Sequence, residues 1–266
     1  MKLARAKQRR RRRDALGGLL MVLTAALLAV AGAFGLAFRP PPLDPETLCR
    51  QDARPPAATL VLIEASDAYE PRHRRRLRAA IEEEARRLPR HGRLTMISVR
   101  PEDPREPRVL FARCNPGDGR SVNPVFANPA RAQALWEEGF HEPLRAALAR
   151  AGGGRRQAAG SHIVEAMTAA VAEPDFAGPR RRFVLVSDLL QHTPAQGFTA
   201  YAEGATLERY TATHRGFEPP NLEGVEVRVV GLDRPDFAHR QNAVVEGLWA
   251  PLFEEAAAAS VVFEGL

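Results

Sequence analysis

Three hydrophobic patterns divide this chain. Ala15 to Phe38 holds no charged residue across 24 positions. At about 1.5 Å per residue that is roughly 36 Å of helix, against a bilayer core of about 30 Å, so the stretch predicts one transmembrane helix over 15–38. Short unbroken apolar runs form the second pattern. Thr59-Leu60-Val61-Leu62-Ile63 and Phe183-Val184-Leu185-Val186 are bounded by turn residues and are too brief for helices. They predict strands covered on both faces, the kind found mid-sheet in α/β domains. Leu94–Val99, Arg108–Arg113, Val225–Val230 and Val261–Phe263 predict further strands, with Arg108–Arg113 short and at an edge.

The third pattern is helical spacing. Pro71 suits a first helical position, and Leu77, Ile81 and Leu88 then share one face. Glu82–Arg86 and Glu83–Arg87 are acid-before-base pairs four apart on the solvent side, which makes the arginines of 72–78 a solvated helix face rather than a binding patch. A second helix is predicted from about Pro129 to Arg150, with Leu135, Trp136, Phe140, Leu144 and Leu148 inward. A third opens at Gly160 with Ser161 as N-cap and runs to about Val171. A short one falls within 203–213, and the last spans Phe237 to Ala258 with a kink at Pro251. Strands alternating with helices indicate an α/β fold: a Rossmann-like open sheet, mostly parallel with one short antiparallel edge strand, helices on both faces, preceded by one transmembrane helix.

Charge changes the picture at one end only. The net charge is +6 and the pI about 10.1, but residues 1–14 hold eight basic groups and a single acid. The folded part is therefore close to neutral and offers no argument for a nucleic-acid partner. The block Arg9–Arg13 stands just before the apolar span, and positive flanks stay in the cytoplasm. A cleaved signal peptide competes for the same stretch, but its apolar region is usually about 7–15 residues. The expected organisation is a basic cytoplasmic tail (1–14), a transmembrane helix (15–38), a Pro-rich linker (39–56) and an α/β domain (57–266). That places the protein in the inner membrane as a single-pass chain with a periplasmic, extracytoplasmic domain.

The two cysteines, Cys49 in the linker and Cys114 after the apolar run Val109-Leu110-Phe111, can pair in an oxidising compartment. The bridge would staple the incoming linker to the end of a strand.

Candidate chemistry collects at three turns. Glu64-Ala65-Ser66-Asp67 follows the first apolar strand, Ser161 opens a helix after a glycine-rich stretch, and Asp188 ends the second apolar strand. In an open α/β sheet such turns meet in the crevice beyond the carboxyl ends of the strands. Carboxylates with hydroxyls are hard oxygen donors suited to Mg²⁺ or Mn²⁺. On these residues the chain resembles a von Willebrand factor type A domain over about 57–264. The resemblance implies a Rossmann-like sheet and a metal-ion-dependent adhesion site of the pattern Asp-x-Ser-x-Ser, Thr, Asp. Glu64 would match the first Asp, Ser66 the first Ser, Ser161 the Thr and Asp188 the later Asp, each as a metal ligand. Two positions depart from the pattern. Glu64 is one methylene longer than Asp, and Ala68 stands where the second Ser belongs, leaving Asp67 either as its substitute or as a cap of the helix that follows. The competing reading has Ser66, Ser161 and Asp188 capping helices and satisfying buried backbone groups, and the departures favour it.

His162 and His192 flank the same crevice. Adjacent residues at a helix start diverge, so Ser161 and His162 do not make a nucleophile–base pair, and no Gly-x-Ser-x-Gly elbow is present. Both are expected to be surface histidines. The expected function is a non-catalytic, membrane-tethered interaction domain that binds a protein partner of the cell envelope, with metal assistance if the site is filled. Two alternatives are a metal-dependent hydrolase using the same crevice and a purely structural subunit of an envelope complex.

Overall fold

A computed structural model of the chain describes residues 2–37, 41–64, 69–99, 103–124, 127–151 and 159–265. It divides into two compact units, Met1–Pro41 and Pro42–Leu266. The first is a helix, α1 (Lys2–Ala37), in which Leu16–Gly35 is long and apolar enough to cross a membrane. Its apolar side chains, from Leu16 to Phe34, are exposed within this unit.

The second unit is built on β1 (Ala58–Ile63), β2 (Arg93–Ser98), β3 (Arg108–Cys114) and β4 (Arg181–Ser187). A small hairpin, β5 (His192–Thr193) and β6 (Phe198–Thr199), follows, then β7 (Val225–Gly231) and β8 (Ser260–Glu264). Among the described residues, six strands form one sheet in the order β3-β2-β1-β4-β7-β8. All neighbours are parallel except β2 and β3. Parallel pairing needs a crossover of roughly a dozen residues or more, and the proline-rich loop before β3 is too short for one.

All six residues of β1 are buried, as an unbroken apolar run requires. Leu60, Leu62, Phe183 and Leu185 face one core, while Val61, Ile63, Val184 and Val186 face the other, following the two-residue period of a strand. Each such side chain contributes about 1.5–3 kcal/mol on burial. The first core is closed by α5 (Ile163–Val171), α6 (Leu207–Thr213), α7 (Ala238–Val244) and α8 (Ala250–Glu255). The second is closed by α2 (Pro71–Arg87), α3 (Pro129–Trp136) and α4 (Glu142–Ala151).

Two of these helices are interrupted by a π turn. Glu137–His141 joins α3 to α4, and Val245–Trp249 joins α7 to α8. The wider turn advances the apolar face, and this corrects one expectation. Phe140, Leu144 and Leu148 are buried, but Leu135, ahead of the turn, is 41 % exposed. Trp136 is half-buried and stacks on His141, ring centroids 4.7 Å apart. Pro251 is the second residue of α8, directly after the second π turn.

Residues 42–56 are not a free linker. The folded unit begins at Pro42. Leu43 bridges to Arg50, and Asp44 accepts hydrogen bonds from the Thr47 amide (2.7 Å) and hydroxyl (2.8 Å). The Thr47 carbonyl accepts from the Cys114 amide (2.7 Å), and Leu48 enters the second core. A Cβ on Gly139 would stand 2.8 Å from Leu48 Cδ1, so the leucine packs directly over the bare backbone at that glycine. Cys49 and Cys114 form a disulfide, as the cysteine count predicts. Cys114 pairs with Arg93, the first residue of β2. The lead-in therefore docks at the amino ends of the parallel strands, opposite the end where Glu64 follows Ile63.

Charge is also buried against the sheet. Glu84 of α2 accepts from Arg182 of β4 (2.8 Å) and Arg228 of β7 (2.7 Å). Arg228 in turn binds Glu83 and Glu264, each at 2.8 Å. Glu83 also pairs with Arg87 at 2.6 Å, the pair expected from spacing. Burial works against the Arg228 charge, but the hydrogen bonds it donates to Glu264, Glu84 and Glu83 outweigh it and raise its pKa.

Candidate functional site

The strand order reverses between β1 and β4, and the candidate residues meet there. The Glu64 amide donates to the Val186 carbonyl (3.0 Å), continuing the ladder one step past β1. This sets the Glu64 side chain, 4 % exposed, beside the end of β4. Ser161 Oγ donates to Glu64 Oε1, and Ser187 Oγ donates to Oε2. One carboxylate thus gathers hydroxyls from two distant segments. Ser161 reaches it because its backbone bridges to His192, with paired bonds of 2.7 and 2.9 Å. A Cβ at Gly160 would lie 2.9 Å from the His192 carbonyl oxygen, so glycine permits that approach.

Asp188 follows in a tight turn. Its Oδ1 accepts from the Leu190 amide (3.0 Å), and Ser187 Oγ accepts from the Leu189 amide (2.7 Å). Leu189 holds φ 65°, a left-handed conformation costly for a branched residue, and is retained by full burial and by the indole N–H of Trp249 on its carbonyl (2.9 Å). Asp188 Oδ2 accepts from Arg234 Nε at 2.8 Å. Gln241, buried, secures both loops: its amide N–H group donates to the carbonyls of Asp188 and Leu232, and its oxygen accepts from the Arg234 amide (2.8 Å). Tyr69 donates its hydroxyl to the Glu64 carbonyl. Burial raises the Tyr69 pKa well above its ordinary value, with the charges of Glu64 and Asp188 adding to the rise and Arg234 opposing it. One phenol therefore senses both carboxylates.

The structure brings Glu64 and Ser161 into direct contact and places Asp188 next to Ser187 at the same strand end. Ser66 and Asp67 lie outside the described residues. Ser161 does not cap a helix. The residue before α5 is His162, which makes no side-chain cap bond, and Gln191 does the capping from another segment, accepting from the amides of Ile163 (2.7 Å) and Val164 (3.1 Å). Ser161 is instead drawn away by the Glu64 carboxylate. Ser187, Gln191, Arg234 and Gln241 were not singled out by sequence reasoning. Ser187 adjoined a named residue, but nothing local marks the other three.

The two histidines are half-buried. His192 Nδ1 lies 3.0 Å from Thr199 Oγ1, and its ring meets Tyr201 edge-on. His162 lies 3.8 Å from Glu165, and His214 lies 3.4 Å from the same oxygen. Burial resists the Glu165 charge, but hydrogen bonds from His162 and Gln191 prevail and hold its pKa below the ordinary 4.5. A depressed carboxyl pKa contributes stability above the unfolded value and loses it as pH falls through the folded one. Glu165→Gln is therefore expected to be destabilised relative to wild type at pH 7, with the gap closing toward pH 3, measured by urea unfolding.

No family model matches this chain, and no curated protein matches it. Among solved structures, the von Willebrand factor type A structure from Catenulispora acidiphila is similar at 15 % identity and TM-score 0.39, covering 80 % of this chain and 39 % of that one. The human COPII-coat protein Sec24c is similar at 14 % identity and TM-score 0.28, covering 81 % of this chain and 30 % of that one. The chain thus spans well under half the length of either.

The described donor set does not fit a divalent cation. Asp188 already carries a guanidinium 2.8 Å away. A second, doubly charged ion on the same carboxylate would stand within roughly 5 Å of it, a repulsion of several kcal/mol at an effective dielectric constant of about 20. Both Glu64 oxygens are engaged by hydroxyls. Among the described residues no group of three or more His, Cys, Asp or Glu side chains is arranged to hold a metal.

Proposed function

We propose that the 42–266 unit is a non-catalytic interaction domain. It is tethered by the apolar helix in the inner membrane, N-terminus in the cytoplasm, and held outside the cytoplasm. It binds a protein of the cell envelope through the loops at the carboxyl end of the sheet. The observation that carries this reading is an exposed aromatic pair at that end. Tyr201 (38 % exposed) and Phe237 (39 % exposed) meet edge-to-face at 5.1 Å, with His192 behind Tyr201 and Arg234 three residues before Phe237. Tyrosine and arginine are enriched where binding energy concentrates, and exposed aromatic clusters mark contact surfaces. The disulfide supports an oxidising compartment. The lead-in docks at the opposite end of the sheet and so does not cover the aromatic pair. The Ser161 hydroxyl is spent on a buried carboxylate rather than aligned with an imidazole, which favours binding over hydrolysis.

Photo-crosslinking in membranes tests it. A crosslinker at position 237 is expected to capture a defined envelope protein, and one at the exposed Val262 of β8 is not. Tyr201→Ala with Phe237→Ala should cut capture at least about tenfold, since a hot-spot pair is worth about 2 kcal/mol or more. Equal capture from both positions would overturn the assignment. We also propose that binding needs no metal, with Arg234 supplying the positive charge. Mg²⁺ or Mn²⁺ should then leave the thermal unfolding of the protein unchanged. A bound ion at 100 times its dissociation constant would add about 2.7 kcal/mol, and a shift of that kind would restore the metal-assisted reading.

A further inference from the structure

The foot of the sheet holds a feature that the crevice does not use. The amino ends of β1 and β4, the segment leading into β7, and the last turn of α2 with Pro89 surround a cavity of about 410 Å³. Arg87, Arg180, Arg181 and Arg182 line it. Two of the four are neutralised: Arg182 by Glu84 and Glu226, and Arg87 by Glu83. Among the described residues, Arg181 donates only to the Glu223 backbone carbonyl, and Arg180 is exposed and has no carboxylate partner. Two guanidinium charges therefore remain uncompensated at one concave site. Guanidinium groups match the oxygens of phosphate in geometry and charge.

The position of the site points to the source of the phosphate. The 178–181 segment packs against the lead-in: a Cβ on Gly178 would stand 3.0 Å from the Pro55 carbonyl oxygen. The lead-in joins, at Pro42, the chain that follows the apolar helix ending at Ala37. The arginine cavity thus lies at the end of the sheet where the lead-in docks, opposite the aromatic end.

We propose that this cavity takes the phosphate of an anionic lipid headgroup in the membrane that the apolar helix spans. The inference rests on the tethered reading above. Arg180 and Arg181 bind the headgroup, while Arg182 stays committed to Glu84 and keeps the cavity wall in place. Lipid contact at this end fixes which face of the domain meets the bilayer and leaves Tyr201 and Phe237 turned toward the partner.

The test uses the full chain in lipid nanodiscs, either neutral phosphatidylcholine or the same lipid with phosphatidylglycerol, read by amide hydrogen exchange over residues 178–182. Each basic side chain near an anionic surface is worth about a factor of five, so exchange is expected to slow by about tenfold or more in the anionic discs. Arg180→Gln with Arg181→Gln should bring the ratio back to about one without changing the thermal midpoint, because both groups lie outside the buried ion network. Raising ionic strength should have the same effect in the wild type. Equal exchange in the two lipids would overturn the proposal while leaving the tethered reading intact. Protection by inorganic phosphate in neutral discs would replace the lipid with a soluble ligand and overturn it as well. A chain that fails to enter the discs would overturn the tethered reading and this inference together.

Discussion

Replacing Cys49 and Cys114 with serine is expected to cost about 4 kcal/mol of unfolding free energy, the chain-entropy value for a loop of this length. The two residues lie 65 positions apart, and the closed loop contains β1, α2, β2 and most of β3. For a unit of this size about 4 kcal/mol lowers the melting temperature by roughly 10 °C. Wild type treated with reductant should melt at the same lowered temperature. The loss is global rather than local, because the crosslink acts on the unfolded chain. The Thr47–Cys114 backbone bond and the Leu48 contacts remain to hold the lead-in in the folded state. A change below about 1 kcal/mol would show that strain or residual structure cancels the entropic gain.

Arg228→Ala is expected to cost about 3 kcal/mol or more, measured by urea unfolding. Glu84 is 1 % exposed and would retain only Arg182, and a buried charge stripped of a partner costs about 3–5 kcal/mol. The paired change Glu84→Leu with Arg228→Met should be near neutral. It removes both desolvation penalties and adds apolar contact under α2, while Arg182 keeps Glu226. Glu83 and Glu264 are half-exposed and can be solvated once Arg228 is gone. If the double variant is as unstable as the single one, the network is needed to orient α2 on the sheet.

Much of the sheet was legible because its strands repeat a local rule. β1 and β4 are apolar at every central position, which happens only where both faces are covered. The edge placement of β3 was legible from its charged ends and the prolines before it. Leu135 was misread because helical periodicity assumes an unbroken turn, and the π turn at Glu137–His141 carries no plain sequence mark. That the lead-in is stapled to the end of a strand was legible from the two cysteines, but its further packing was not, because prolines denote a stiff chain and say nothing about what that chain packs against. In the crevice, Glu64, Ser161 and Asp188 could be named from turns that end or begin elements. Their hydrogen-bond partners could not. Ser161 looked like a cap, and Gln191, 28 residues after the Ile163 amide it accepts from, does the capping.

By itself the sequence determined the apolar span, the alternation of strand and helix, the disulfide and the segments that supply the crevice. These follow from local composition, turn chemistry and the length of apolar runs. Only the tertiary structure decided that Glu64 collects two serine hydroxyls, that Arg234 stands on Asp188, and that the docked 42–56 segment and the Tyr201–Phe237 pair lie at opposite ends of the sheet. Those outcomes depend on strand order and register, which bring Glu64 to serines 97 and 123 positions away. Pairing at that distance is decided by which contacts satisfy buried polar groups, and no short stretch of sequence contains that information.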